Sequence, residues 1–362
     1  MNPESPKEVV FSLIVVVRNE RECLVNLLDD LTLQDFPSNQ TEIILVDSAS
    51  TDGTGDVMKD FAGRHSGRKI TILQNPHRIL ASGWNLAIKA ATGSFVLRLD
   101  AHTRVPRDFL ARNLEALNKG EAIVGGRIIY LQPSGTWRRI LSAAASSRFG
   151  AASAAFRQLG SAGYVDTLAF AAYSRRVFAR VGLFNETLAR TEDNEMHYRM
   201  REAGFKFYYD PTIVSYYVSR TTLRELLRQM YANGLWIFAT MAVQPKCFSL
   251  RHFVPFFFFL GLVFASAIAI LFTGWVLTFV LGAYFATAFA FAARATASFE
   301  GHRKTAVFAI PFCFFLIHTA YGIGTFVGMT RLVRGWLERR MADGYKPEIR
   351  DHLVSSSAQN RK

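Results

Sequence analysis

The stretch that determines the fold covers residues 9–20 and reads VVFSLIVVVRNE. Its apolar run, 9–17, is typical of a strand that is buried on both faces. Three polar residues follow the run: Arg18, Asn19 and Glu20. Because strands buried on both faces belong to sheets that carry helices on both sides, the stretch predicts an α/β domain with a polar cluster after its first strand.

The same pattern of short apolar runs and helical spacing repeats along the N-terminal part of the chain. Further strands are predicted over 42–47, 69–74 and 94–100, and helices over 22–33, 55–64 and 81–91. This alternation predicts an α/β fold with a mostly parallel sheet flanked by helices. Ligands of such sheets bind at the carboxyl ends of the strands, so we expect Asp47 and Asp100 to lie near the cluster at 18–20.

The middle of the chain continues the alternation but contains one less regular segment. Helices are predicted over 107–118, 193–203 and 222–236, and strands over 122–130 and 205–210. Residues 132–163 are rich in Ala, Ser and Gly. This composition predicts a mobile loop or short helices over the site.

The C-terminal third is predicted to be a membrane module. Three apolar stretches, 253–272, 275–293 and 305–329, approach the roughly 20 residues that a helix requires to cross a bilayer. The segment 294–304 and the tail after residue 331 are basic, which favours the cytoplasm for both. Three full spans would place them on opposite sides. Three alternatives remain: a re-entrant third stretch, a further membrane element within 230–243, or a tail that breaks the charge rule.

Composition and charge narrow the classes of partner. The net charge of +13 over 362 residues suits an anionic membrane surface, a nucleic acid or a phosphorylated substrate. The sequence contains no basic and aromatic run typical of nucleic-acid binding, so we expect no nucleic-acid partner. Cys23, Cys247 and Cys313 are far apart and odd in number, which fits a reducing cytosol. Residues 1–10 lack the apolar core of a signal peptide, so the leading domain is expected to stay in the cytoplasm.

An acid and an imidazole after the fourth predicted strand form the first candidate site. Asp100 and His102 are two residues apart and can both face one ion. A carboxylate suits Mg²⁺ or Mn²⁺, and an imidazole favours Mn²⁺, so the pair predicts a divalent cation that would bridge two phosphates. The alternative is an aspartate that caps a turn, with a surface histidine nearby.

Two further groups of polar residues also have both a functional and a purely structural interpretation. Asp47 precedes a turn, and its carboxylate can accept hydrogen bonds either from a ribose or a base edge, or from its own turn. The residues TEDNE at 191–195 precede a helix, where an acid can act as a general base for a hydroxyl or simply interact with the helix dipole. His197 is interpreted as a surface residue.

Taken in order, these segments resemble the inverting family 2 glycosyltransferases with the GT-A fold. The family pattern is matched by Arg18-Asn19-Glu20, by LVDSASTDGT at 45–54, by SGWN at 82–85 followed by AATG at 90–93, by Asp100-Ala101-His102 and by Glu192-Asp193. Within the family, the chain is most similar to bacterial succinoglycan-type exopolysaccharide glucosyltransferases. That narrower likeness lies in SSRFG at 146–150, YVDT at 164–167, RRVF at 175–178, VGLF at 181–184 and RQMY at 228–231.

The resemblance implies an inverting single displacement on a UDP-sugar, with glucose the favoured sugar. Asp193 would deprotonate an acceptor hydroxyl, and a divalent metal, Mn²⁺ or Mg²⁺, held by Asp100 and His102 would stabilise the departing diphosphate. The residues implied in donor binding are Arg18, Asn19, Glu20, Asp47, Arg78 and Asp100. The acceptor would be a lipid-linked saccharide of exopolysaccharide biosynthesis.

The resemblance also implies the organisation of the chain. A GT-A-like catalytic domain over 1–240 would lie in the cytoplasm, followed by two or three transmembrane helices over 241–330 and a basic tail over 331–362. The protein would then be a multi-pass protein of the inner membrane.

The sequence departs from the family pattern at three places. His102 stands where the family commonly has the second acid of an Asp-X-Asp motif, and Ser48 follows Asp47 where a second acid is usual. Residues 228–236 only distantly resemble the motif of processive members, so we expect addition of a single sugar. Two alternatives are a polyprenyl-phosphate sugar synthase and a non-catalytic membrane scaffold.

Overall fold

The computed structural model describes residues 8–131, 134–150, 160–218, 222–297, 299 and 301–344. Its strands are β1 (Phe11–Val17), β2 (Thr41–Asp47), β3 (Lys69–Gln74), β4 (Phe95–Leu99), β5 (Thr103–Arg104), β6 (Ile123–Tyr130), β7 (Gly163–Val165), β8 (Ala172–Ser174) and β9 (Phe207–Tyr217). Its α-helices are α1 (Arg21–Thr32), α2 (Thr54–Arg64), α3 (Leu80–Ala90), α4 (Phe109–Leu117), α5 (Thr136–Ser146), α6 (Arg175–Val181), α7 (Glu192–Glu202), α8 (Leu223–Val243), α9 (Val254–Leu271), α10 (Trp275–Ala295) and α11 (Arg303–Gly344).

Within the described residues the strands form one sheet in the order β3-β2-β1-β4-β8-β6-β9-β5, and β7 pairs with β9. Strands β3, β2, β1 and β4 are parallel to one another. In the second half, β6 and β9 are parallel, whereas β8, β5 and β7 run antiparallel to their neighbours. The predicted α/β fold with flanking helices is confirmed. Its parallel part is the N-terminal half, and the remainder of the sheet is mixed.

Helices on both faces explain why β1 and β2 are buried along their whole length. On one face, α1 contributes Leu24, Leu27 and Leu28 to the core. On the other face, α3 contributes Trp84 and Ala87. Residues three and four apart lie on one side of a helix, so each helix buries a single apolar stripe against the sheet. This two-sided core fixes the strands whose ends carry the candidate site.

Three C-terminal helices are long and apolar enough to cross a membrane: α9, α10 and the part of α11 over Arg303–Gly335. Only 11% of the most apolar window of α9, and the same share in α10, is buried within the chain. Large side chains such as Phe264, Ile270 and Phe279 are therefore exposed. An apolar surface of this extent on helices of this length is typical of contact with lipid.

Helix α8 connects the α/β part to these apolar helices by packing along α11. Glycines allow the close approach. A side chain at Gly234 would meet the backbone oxygen of Tyr321, and one at Gly324 would meet that of Tyr231. The helix predicted over 222–236 is confirmed and extends to Val243.

The structure decides between alternatives for two segments of the chain. The third apolar stretch is not re-entrant, since α11 continues through Pro311 as one helix. Of the two alternatives for 132–163, a mobile loop or short helices over the site, the structure contains a helix, α5, and this helix packs against the C-terminal helices. The reason is that α5 has an apolar stripe, which includes Ile140 and Leu141, and the stripe is buried against those helices. Residues 151–159 lie outside the described residues. The predicted domain boundaries at 240 and 330 stay predictions.

Candidate active site

Parallel pairing brings the ends of three strands to one edge of the sheet. Val17 is level with Asp47 across the β1–β2 pair, and Val15 is level with Leu99 across the β1–β4 pair. Strands β2 and β4 flank β1, so at the usual strand spacing their ends are roughly 10 Å apart. The polar residues that follow these strands therefore share one edge.

Hydrogen bonds join the turn after β1 to the turn after β2. Asn19 has a φ of 56°, and its side-chain oxygen accepts a hydrogen bond from the Thr51 N–H at 2.8 Å. The Asn19 N–H donates to Ser50 Oγ at 3.0 Å, and the Glu20 N–H donates to Thr54 Oγ1 at 3.1 Å. Asparagine tolerates this left-handed conformation better than most residues. The structure thus gives Asn19 a role in joining the two turns, and its contact with a donor stays a prediction.

Asp47 shows the turn interpretation drawn from its sequence context. It is 7% exposed, and its Oδ1 accepts a hydrogen bond from the Ser50 N–H at 3.0 Å, as in the turn alternative. Its Oδ2 lies beside the first turn of α2, where a Cβ added to Gly55 would be 3.4 Å away. The turn therefore fixes the orientation of the carboxylate at the sheet edge, and its role toward a nucleoside stays a prediction.

Asp100 and His102 lie together in the turn after β4, and Glu20 lies beside them. His102 Nε2 is 3.9 Å from Asp100 Oδ2, and His102 Nδ1 is 3.9 Å from Glu20 Oε1. The imidazole packs edge-on against Tyr217, with 4.9 Å between the ring centres. Both separations are longer than a hydrogen bond, so the imidazole lies between the two carboxylates without bonding to either.

The 3.9 Å between Asp100 Oδ2 and His102 Nε2 is wider than the spacing of adjacent ligands of one octahedral cation. Adjacent ligand atoms at roughly 2.1 Å from Mg²⁺ or Mn²⁺ lie about 3 Å apart, so the two groups would approach by about 1 Å to share one ion. Within the described part of the chain, no group of three or more His, Cys, Asp and Glu side chains is arranged to hold a metal ion. Two protein ligands are the arrangement expected where substrate phosphates complete the coordination. The metal site stays a prediction.

Asp193 lies in the first turn of α7, which begins after a strained residue. Thr191 has a φ of 58°, an uncommon conformation for a β-branched residue, and its hydroxyl lies 2.6 Å from that of Thr240 on α8. Arg190 donates to the side-chain oxygen of Asn233 on α8 at 3.1 Å. The turn that carries Asp193 is therefore held by α8, the helix that packs along α11.

Arg98 is a site residue that the sequence analysis missed. Its guanidinium carbon lies 4.6 Å from the centre of the Trp84 ring, an arrangement typical of a cation–π contact. Burial opposes its charge, but attraction to Asp100, Asp193 and Glu192 outweighs burial and raises its pKa. Asp100, which follows β4, and the two acids that begin α7 thus interact with one positive charge. The signal in the sequence is a single arginine within the apolar run FVLRL.

Glu192 is a second missed residue. It is 5% exposed at the first position of α7. Burial raises its pKa to about 7, the charge of Asp193 adds to this increase, and Arg98 opposes it. A carboxyl group that titrates near neutral pH beside a second acid is typical of functional sites. The sequence places the two acids side by side but does not show that one is buried.

The interpretation of His197 as a surface residue is wrong. It is 2% exposed, and its ring nitrogens lie 2.7 Å from Thr167 Oγ1 and 3.0 Å from the Tyr173 hydroxyl. Burial lowers its pKa to about 4, so the ring is neutral at physiological pH. Arg18 and Arg78 are exposed, one directly after β1 and the other between β3 and α3. Their contacts with a donor stay predictions.

Known proteins are similar to the chain in sequence and in architecture. Residues 12–182 match the model of glycosyl transferase family 2. The dolichyl N-acetyl-alpha-D-glucosaminyl phosphate 3-beta-D-2,3-diacetamido-2,3-dideoxy-beta-D-glucuronosyltransferase of Methanococcus voltae is 25% identical over 327 residues, which are 88% of this chain and 97% of that protein. The succinoglycan biosynthesis protein ExoA of Rhizobium meliloti is 28% identical over 230 residues, which are 62% of this chain and 68% of that protein.

Among solved structures, the mannosyltransferase PcManGT from Pyrobaculum calidifontis, in complex with GDP-Man and Mn²⁺, has a TM-score of 0.53 and 21% identity, and the match covers 88% of each chain. This likeness confirms the GT-A fold. The family match and the similarity to the succinoglycan protein confirm the resemblance drawn from the motifs. They also support an enzyme over the alternative of a non-catalytic scaffold.

Proposed function

The chain is a glycosyltransferase with a family 2 domain over residues 12–182, and we propose that it transfers a sugar from a UDP-sugar to a lipid-linked saccharide at a membrane surface. The observation that carries this proposal is the electrostatic interaction of Asp100, Glu192 and Asp193 with Arg98, whose guanidinium group lies over Trp84. It occurs at the edge where the parallel strands end, which is where such sheets bind ligands. Glucose as the donor sugar is carried over from the resemblance of the motifs, and the similarity to the succinoglycan biosynthesis protein supports a role in exopolysaccharide biosynthesis.

In this proposal the donor lies along the strand ends. Asp47 accepts hydrogen bonds from the uridine or ribose, and Arg78 approaches the phosphates. The remaining donor residues are Arg18, Asn19, Glu20 and Asp100. A divalent cation bound by Asp100 and His102 would neutralise the charge of the diphosphate leaving group. The complex of the Pyrobaculum mannosyltransferase with GDP-Man and Mn²⁺ supports a nucleotide sugar and a divalent cation in this fold.

Asp193 acts as the general base. Its carboxylate accepts the proton of an acceptor hydroxyl while the hydroxyl oxygen forms a bond to the anomeric carbon. The bond from that carbon to the diphosphate breaks on the opposite face, so the configuration inverts. A fixed positive charge favours the ionised form of nearby carboxylates, and Arg98 provides this charge.

The acceptor side of the proposal rests on the apolar helices and on one relative. The name of the Methanococcus enzyme states a dolichyl-phosphate-linked sugar as its substrate. Here α9, α10 and α11 are able to cross a bilayer, and α8 joins them to the turn before Asp193. In this proposal the protein lies in the inner membrane with several spans, and its catalytic domain lies on the cytoplasmic side.

Membranes that contain the chain are to be incubated with Mn²⁺ and one nucleotide sugar at a time. The nucleotide sugars are UDP-glucose, UDP-galactose, UDP-N-acetylglucosamine and GDP-mannose. The proposal predicts release of UDP from one UDP-sugar, dependent on the lipid fraction, and a lipid-linked saccharide longer by one sugar in mass spectra. A product with one sugar directly on a polyprenyl phosphate would establish the synthase alternative. Release from GDP-mannose alone would contradict a UDP-sugar donor.

A further inference from the structure

A cavity lies beside α7, the helix that carries Asp193. It has a volume of about 100 Å³. Its walls come from α7, from the turn after β7 and from the linker between α8 and α9. The linker leads directly into α9, the first helix able to cross a membrane. None of the donor residues proposed above lines this cavity.

The cavity adjoins Asp193 through α7. Asn194, the next residue, and His197, one helical turn further, both line it. Positions i and i+4 of a helix lie on the same face, so Asp193 and His197 face the same side. The charge of Asp193 also reaches the linker, where it opposes the decrease that burial causes in the pKa of His252. A group bound in the cavity would lie beside the proposed base.

Positive charge predominates among the side chains of the cavity. Arg201, Lys246 and Arg251 line it together with one carboxylate, Asp166. Arg251 donates to Asp166 Oδ2 at 2.6 Å, and Arg201 donates to the backbone oxygen of Asp166. These contacts fix both guanidinium groups and neutralise only one of the three cations. The excess positive charge favours an anionic ligand, and fixed guanidinium groups suit phosphate oxygens.

The second oxygen of Asp166 indicates a further property of the ligand. Asp166 Oδ1 is buried and has no hydrogen-bond partner among the residues that the structure describes. A buried carboxylate oxygen without a donor is costly, and a ligand hydroxyl would supply that donor. The cavity thus offers cations for a phosphate and an acceptor for a hydroxyl.

We propose that this cavity binds the phosphorylated sugar of the lipid-linked acceptor, with the phosphate at Arg201, Lys246 and Arg251 and a sugar hydroxyl at Asp166. The inference rests on the proposed function, since it specifies the acceptor of the same reaction. Its position between Asp193 and the start of α9 suits a molecule whose lipid lies in the membrane and whose hydroxyl reaches the base.

The probes of this proposal are glucose 1-phosphate, methyl glucoside and inorganic phosphate, titrated onto the full chain in phosphatidylcholine nanodiscs. We expect glucose 1-phosphate to bind more tightly than either of the other two. Lys246→Gln and Arg251→Gln should each weaken its binding by about tenfold, the loss of one charge-assisted hydrogen bond. Asp166→Asn should remove its advantage over inorganic phosphate.

Matched controls are Lys59→Gln and Arg64→Gln, which alter exposed ion pairs on α2 and should leave binding unchanged. UDP with Mn²⁺ is titrated in parallel, and its binding should be unchanged in all variants. Failure of UDP to bind would count against the proposed function, whereas UDP binding without glucose 1-phosphate binding would overturn only the acceptor cavity. Displacement of glucose 1-phosphate by UDP, or by phosphatidylglycerol in the nanodisc, would also overturn it, since the occupant would be the donor or bulk lipid.

Discussion

The guanidinium carbon of Arg98 lies 4.6 Å from the centre of the Trp84 ring, at the point where β4 approaches the site. The indole ring is fully buried on α3, so it holds the positive charge in a fixed place. Asp100, Glu192 and Asp193 all attract this charge. One arginine is therefore the common neighbour of acids that are separated by about ninety residues in sequence.

Replacing Arg98 tests whether that charge supports catalysis. Arg98→Gln should lower kcat by at least about tenfold and leave the KM of the donor within a factor of about two, if Arg98 acts through the carboxylates rather than by binding the donor. Arg98→Lys keeps the charge and should recover part of the loss. Steady-state kinetics with Arg64→Gln as the control measure both effects. Equal kcat in all four proteins would show that the charge has no catalytic role.

The proposed metal ligands, Asp100 and His102, lead to a prediction about which ion the site prefers. His102→Asp creates the Asp-X-Asp pattern of the family, and replacing an imidazole by a carboxylate should shift activity severalfold from Mn²⁺ toward Mg²⁺. Asp100→Asn should raise the Mn²⁺ concentration needed for UDP binding by at least about tenfold. Calorimetry of UDP binding at a series of metal concentrations checks both. A metal dependence identical to that of the parent would exclude these residues as ligands.

Glu192 predicts a pH-dependent stability. Its pKa is raised to about 7 in the folded chain, whereas an unfolded chain loses that proton near pH 4.5. Between these values the folded state binds more protons, so the free energy of unfolding falls as pH rises, by roughly 3 kcal/mol at most.

Glu192→Gln is neutral at every pH and should lack this loss. The measurement is thermal unfolding of both proteins in detergent with a chelator, at pH 5 and at pH 7. The parent should lose more stability than the variant between the two conditions. Parallel changes in the two melting temperatures would show that Glu192 titrates normally.

The bond between Thr191 and Thr240 predicts that α8 influences catalysis. Thr240→Val keeps the shape of this buried residue and removes its hydroxyl, at a cost of about 1 kcal/mol. The turn before Asp193 would then lose one of its anchors, so kcat should fall severalfold. Thr296→Val, which removes a buried hydroxyl that donates to the Ala292 backbone oxygen near the end of α10, is the control. A fall of equal size in both variants would point to general destabilisation.

Much of the sheet was predictable because apolar periodicity is a local property of the chain. The strand predicted over 69–74 has those bounds in the structure, and the predicted strand ends place Asp47 and Asp100 at one edge. The antiparallel strands of the second half are short, and their pairing depends on distant partners. Local periodicity therefore could not show that β8 lies between β4 and β6.

The site was less predictable because its chemistry depends on burial across the fold. In the sequence, His197 is a polar residue on a charged helix, which favours exposure. In the structure, its ring nitrogens contact Thr167 and Tyr173 from another segment, and the ring is buried. Arg98 interrupts an apolar strand, and only the packing of α3 shows that it stacks on Trp84. Motifs indicated which acids belong together, and the fold was needed to find the charge between them.

The most direct measurement of the central claim uses Asp193→Asn. Sugar transfer and UDP binding with Mn²⁺ are to be measured on the same preparation, with Asp56→Asn, an exposed acid of α2, as the control. If Asp193 is the base of a site that also holds the donor, transfer should fall by about a thousandfold while UDP binding stays as in the parent. Transfer at the parental rate with UDP bound would contradict it.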